Sequence, residues 1–97
     1  MSKMEMKDYV EVLQAKKWEA HDKQWLYIEI NAKDFLEEKE PGVKNITAVC
    51  KAMLYEMLEG DEFIVEPKSK SKVAQTLTVR YYVDNLSPER RKYAEVN

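Results

Sequence analysis

The stretch "NITAVCKAMLYEMLEGDEFIVEPKSKSKVAQTLTVRYYV", Asn45 to Val83, switches hydrophobic period partway, and that switch decides the fold. In its first part Ile46, Val49, Cys50, Met53, Leu54 and Met57 recur at i, i+3, i+4, i+7, i+8 and i+11, one face of a helix. Asn45 suits an N-cap and Gly60 a C-terminal stop, so the spacing predicts a helix over about 44–59. The second part alternates, as strands do. Phe63 and Val65 share one side of 62–66. Val73, Leu77, Val79, Tyr81 and Val83 then share one face of 73–83, broken by Gln75. Ala74, Thr76, Thr78, Arg80 and Tyr82 take the other face, and Pro67 with the Lys-Ser-Lys-Ser-Lys run makes the hairpin loop.

On the N-terminal side, Met6, Tyr9, Val10 and Leu13 predict a helix over about 4–19, with a strand as the alternative for the YVEVL stretch. The aromatic and β-branched run Trp25 to Ile30 reads as a strand. Asn31 can cap a following helix from Ala32 to about Glu38, with Asp34 favouring its positive end and Phe35 and Leu36 turned inward. Pro41-Gly42 stops that helix. Ser87-Pro88-Glu89 predicts the start of a short last helix.

The 97 residues fit one domain, and 44% hydrophobic with 35% charged residues fit a soluble globular one. No apolar run reaches the length of a membrane span, and the N-terminus lacks the apolar core of a secretory signal. A single cysteine excludes an internal disulfide, and one histidine leaves a Cys/His zinc site short of ligands. A reducing cytoplasm is the expected setting. Neither a metal nor a cofactor is expected, and no small-molecule site is evident.

Helix, strand, helix, helix, strand, strand and a short tail resemble the winged helix-turn-helix fold, an α+β class, over about residues 4–84, with 85–97 as the tail. The likeness lies in the succession and spacing of elements. It implies that the helix over 44–59 lies in the DNA major groove and that the 67–72 loop, the wing, approaches the backbone. Carried onto this chain, the candidate nucleic-acid-binding residues are Lys44, Asn45, Thr47, Ala48, Lys51 and Tyr55 on the helix and Lys68, Lys70, Lys72 and Arg80 on the hairpin. Ala48 and Ala52 are expected to face outward, small enough to let the helix sit deep and meet a thymine methyl.

Charge distribution is what favours this partner, since the net charge is −2. Residues 67–80 hold four cations and no carboxylate, and 44–55 hold two cations and none. Lysines on a hydrated loop suit sequence-independent phosphate contact, with a steep salt dependence. Against this stand Asp34, Glu37, Glu38 and Glu40 around the second helix, and the block Glu56, Glu59, Asp61, Glu62 and Glu66. These acids leave a second role open, a module that docks onto a basic protein through them. A Lys/Ser loop can equally be a soluble turn guarding a sheet edge.

The expected function is thus binding of double-stranded DNA, as a transcriptional regulator or an accessory factor of a phage or mobile element. One small domain covers little DNA, so specificity calls for a homodimer, through either the first helix or the RRKYAEV tail. An enzyme is not expected. The chain has one His to serve as base, and Gly42 and Gly60 are too far apart to cradle a phosphate. Cys50 falls in the helix stripe as a buried hydrophobe, His21 on a solvated loop, and Trp18 and Trp25 as anchors of the first helix and strand.

Overall fold

The computed structural model describes residues 4–96. Its elements are α1 (Met6–Asp22), β1 (Tyr27–Asn31), α2 (Ala32–Lys39), α3 (Ile46–Tyr55), β2 (Glu62–Val65), β3 (Thr78–Tyr82) and α4 (Tyr93–Val96). The fold is α+β. The three strands form an antiparallel sheet in the order β1-β3-β2, with the three longer helices on one face.

α1 runs three residues past its expected end and closes on Gln24 in the left-handed region, φ 63°. Gln24 N–H donates to the His21 carbonyl at 2.9 Å and Trp25 N–H to that of Ala20 at 3.0 Å, the bonding of a Schellman turn. Its buried stripe is Tyr9, Leu13, Lys17 and Ala20. β1 then begins at Tyr27 rather than Trp25, because the turn occupies the residues before it.

Asn31 works in two directions. Its side-chain oxygen accepts from Asp34 N–H at 3.0 Å, capping α2 as the sequence predicts. Its amide donates to Thr78 Oγ1 at 3.0 Å and the Gln75 carbonyl at 3.3 Å, which fixes the start of α2 to the root of β3. Asn45 holds the N-cap position of α3, but its side chain makes no cap bond. Its amide instead donates to the Met4 carbonyl at 2.7 Å and to Tyr9 Oη at 3.2 Å, joining α1 to α3.

α3 stops at Tyr55, short of the 59 expected, and Gly60 lies in the following turn with φ +93°. Tertiary donors take the carbonyls that further helical turns would have used. Tyr81 Oη donates to Met53 O at 2.6 Å, Lys92 Nζ to Tyr55 O at 3.1 Å, Lys17 Nζ to Glu56 O at 2.5 Å and Tyr93 N–H to Met57 O at 2.9 Å.

The strand expected over 73–83 is paired only over 78–82. Leu77, Val79, Tyr81 and Val83 are all fully buried, so the alternation was a true core signal. Upstream of Thr78 the backbone serves other elements: Gln75 O accepts from Lys33 N–H at 3.3 Å, and Ala74 O from the Cys50 thiol at 3.3 Å. β2 is short and bulged between Phe63 and Val65. In place of a helix opening at Ser87, residues 87–90 turn, and the helix begins at Tyr93. The turn brings the Arg90 guanidinium back onto the carbonyls of Glu59, Tyr82 and Asn85 and the Asp61 carboxylate, contacts that a helix running on from 88 would break.

Candidate nucleic-acid interface

The core face of the sheet carries α3, and Val49, Cys50, Ala52 and Met53 are completely buried there. Ala52 therefore does not face outward: α1 packs along that side of α3, and Ala48 is half-buried against the core for the same reason. What α3 presents to solvent is Thr47, Lys51 and Tyr55, spaced at i, i+4 and i+8 along one line. Lys51 makes no ion pair or hydrogen bond among the described residues. Tyr55 is 53% exposed, and Lys92 Nζ sits 4.0 Å from its ring centroid. Lys92 is nonetheless committed within the domain, donating to the Tyr55 carbonyl at 3.1 Å and lying 3.6 Å from Glu56. It lies far along the chain, in a segment whose sequence pattern suggested a tail.

At the start of α3 an open groove of about 620 Å³ runs between α2 and α3, with Lys33, Lys44, Thr47 and Gln75 along its rim and Leu36 and Ile46 in its wall. Glu37 also stands on this rim. Asn45 borders the groove, yet its amide is already committed to Met4 and Tyr9. Gln75 belongs to the β2–β3 loop, so the root of the hairpin and the start of α3 meet on one side of the molecule.

Further along, a second cleft of about 490 Å³ separates the end of α3 from the loop itself. Leu54, Met57, Phe63 and Tyr93 form its apolar part, with Lys70 and Lys72 above. Lys68 and Lys70 are exposed and make no ion pair among the described residues. Lys72 differs. Its φ is 56°, its ammonium is 2.7 Å from Glu66, and it lies 5.9 Å from the Phe63 ring.

Arg80 is not part of this surface. Strand alternation turns it to the face opposite Val79 and Tyr81, and so away from α3. There it bonds Glu29 through Nε at 2.8 Å and Nη2 at 2.6 Å, lies 3.7 Å from Glu62, and stacks 4.4 Å from the Tyr27 ring centroid. Glu29 and Glu62 are its direct cross-strand neighbours, so this is a surface ion-pair ladder.

The acidic block is largely taken up inside the domain. Glu56 is 3% exposed, 3.5 Å from Lys17 and 3.6 Å from Lys92. Asp61 is 4% exposed, 2.9 Å from Arg90, and accepts N–H bonds from Leu58 and Tyr82 at 2.8 Å each. Glu62 faces Arg80 and Glu66 faces Lys72. On α2, Glu38 pairs with Lys16 and Lys39, and Glu40 accepts from Tyr9 Oη and Met4 N–H. Asp34 and Glu37 remain exposed without an ion pair among the described residues.

Residues set aside at the sequence level also find places. Burial pushes the Cys50 thiol pKa up, which keeps it protonated and inert. His21 lies in the last turn of α1, not on a loop, and Nδ1 is 2.7 Å from the Val83 carbonyl. A carbonyl only accepts, so Nδ1 carries the proton. Trp18 and Trp25 are each 51% exposed and do not anchor their elements by burial. Among the described residues no group of three or more His, Cys, Asp or Glu side chains is placed to hold a metal, and no helix is long and apolar enough to cross a membrane. Comparison with protein-family models, with curated proteins and with solved structures gives no match.

Proposed function

We propose that this chain is a winged-helix module that binds double-stranded DNA through α3 and the β2–β3 loop. The order α1-β1-α2-α3-β2-β3, with β3 central in the sheet, supports the winged-helix reading. One observation carries the DNA reading. Thr47, Lys51 and Tyr55 are exposed along α3, the hairpin lines clefts at both ends of that helix, through Gln75 beside Thr47 and through Lys70 beside Leu54 and Met57, and Glu56, Asp61 and Glu66 are paired within the domain.

In this mechanism α3 enters a major groove with Thr47 and Lys51 towards base edges and phosphates, and Tyr55 at its far end. Lys68 and Lys70 neutralise phosphates of the adjacent backbone, and Lys44 and Lys33 do so at the start of α3. Point-charge lysines set affinity and orientation, leaving sequence preference to the few groups on α3. Arg80 and Asn45 have no part in it, because each already bonds partners within the domain.

Fluorescence anisotropy with a random-sequence duplex, titrated across salt, tests the mechanism. Each phosphate contact contributes about 0.9 to the slope of log K against log salt. Replacing Lys51, Lys68 and Lys70 together with Ala should lower that slope by up to about 2.7. Lys72→Ala and Arg80→Ala should change it little. A folded protein that binds no duplex at low salt sinks the proposal, as does a slope that the triple variant leaves unchanged.

A further inference from the structure

The sheet leaves β1 open along one edge, and the phase of its pairing identifies which backbone groups are free. Val83 N–H donates to Leu26 O and Ala32 N–H to Leu77 O, each at 2.8 Å. Bonding alternates along an antiparallel ladder. Leu26, Ile28, Ile30 and Ala32 therefore turn their backbone groups to β3, while Tyr27 and Glu29 turn theirs outward.

The edge also lacks the usual protection. β2, at the opposite edge, is four residues long and bulged, which discourages pairing. β1 has no bulge and no proline, and its one charged side chain, Glu29, is held by Arg80. Three consecutive large apolar side chains lead into it half-exposed: Trp25 at 51%, Leu26 at 54% and Tyr27 at 40%. Alongside, a cleft of about 450 Å³ opens between α1 and β1, where Ala20, Ile28 and Ile30 form the apolar wall and Lys16 and Glu19 the rim.

We infer that β1 is the two-fold interface of a homodimer, in which two sheets join edge to edge as six antiparallel strands. The occupant is a second copy because the edge is self-complementary in one register. With Ile28 on the two-fold axis, Ile28 meets Ile28, Leu26 meets Ile30 and Tyr27 meets Glu29. The free backbone groups of Tyr27 and Glu29 then bond each other, and aliphatic side chains fill the cleft. Moving the axis to Glu29 would oppose two carboxylates directly, which is unfavourable. Moving it to Tyr27 would set Glu29 against Trp25 and shorten the ladder.

At half exposure Trp25, Leu26 and Tyr27 offer on the order of 300 Å² per copy, given the surface of aromatic side chains. That forms the apolar centre of the roughly 800 Å² per partner that stable interfaces bury. Lys16, Glu19 and Lys23 on the α1 flank supply a rim of both charge signs. The RRKYAEV tail is a poorer dimer element, since Arg90, Lys92 and Tyr93 are engaged within the domain.

The test uses the full chain without DNA, so its outcome is separate from that of duplex binding. Light scattering after size exclusion should give the dimer mass, and Leu26→Lys should weaken association by about tenfold or more while leaving the circular dichroism of the folded domain in place. Ile28→Cys should cross-link to itself on mild oxidation, because directly opposed non-bonded residues lie about 4.5 Å apart at Cα, within disulfide range. Glu29→Cys and Trp25→Cys should not, and native Cys50 is buried and cannot compete. Wild-type protein that is monomeric at every concentration overturns the inference and leaves the edge to a strand of another protein. Cross-linking strongest through position 29 overturns the register and with it the self-complementarity.

Discussion

Lys17→Met removes one buried charge while keeping most of the side chain's reach. Lys17 is 4% exposed; its ammonium donates to the Glu56 carbonyl at 2.5 Å, lies 3.5 Å from the Glu56 carboxylate and stands 4.7 Å from the Tyr81 ring centroid. Burial lowers the Lys17 pKa from its ordinary 10.5, with Glu56 and Asp61 acting against that shift. Without the cation, Glu56 keeps only Lys92 at 3.6 Å, one-third exposed, and the Gln14 amide at 3.4 Å. Breaking a buried pair by deleting one partner costs about 3–5 kcal/mol, and the residual Lys92 contact places this case near 3. A domain of this size should lose roughly 12–24 °C in melting temperature, at about 4–8 °C per kcal/mol. Urea unfolding gives the free energy and thermal melts the temperature. Removing both charges, Lys17→Met with Glu56→Leu, should recover at least about 2 kcal/mol of that loss, because no buried carboxylate is then left unpaired. A single variant costing less than about 1 kcal/mol, or a strictly additive double variant, refutes the idea that Lys17 and Glu56 are energetically coupled at the end of α3.

Gln24→Gly should stabilise the domain by about 0.5–1 kcal/mol, since glycine takes the left-handed turn after α1 without steric cost; thermal melts check it, and a lower melting temperature would contradict the strain. Tyr81→Phe should cost about 1–2 kcal/mol near neutral pH by leaving the Met53 carbonyl without its donor. Burial holds the Tyr81 hydroxyl well above its ordinary 10.0, so its stability contribution is full below pH 10 and falls as pH rises past it, when the unfolded chain ionises first. Urea midpoints between pH 8 and about 11 should therefore fall less steeply for Tyr81→Phe than for wild type; parallel curves would show that Tyr81 is not the group responsible.

The order of elements and most of the core follow from local pattern. Period alone marked Val49, Cys50 and Met53 on α3 and Leu77, Val79, Tyr81 and Val83 around β3, because a side chain's face follows from its position along a helix or strand. Local chemistry placed Asn31 as a cap, since its partner Asp34 N–H lies three residues away. Contacts between distant segments set where those elements stop and which charges are free. α3 ends at Tyr55 because Lys17, Tyr81, Lys92 and Tyr93 supply donors from other segments, and no local pattern encodes that. Ala52 is inside because α1 covers it. Arg80 leaves the basic surface because alternation turns it to the far face of β3, where pairing with β1 sets Glu29 against it. The acidic block from 56 to 66 counts as repulsive when read along the chain, yet Glu56 and Asp61 close on cations from α1 and the C-terminal segment. Charge is written residue by residue, but whether it reaches solvent depends on which distant partner the fold sets within a few ångströms.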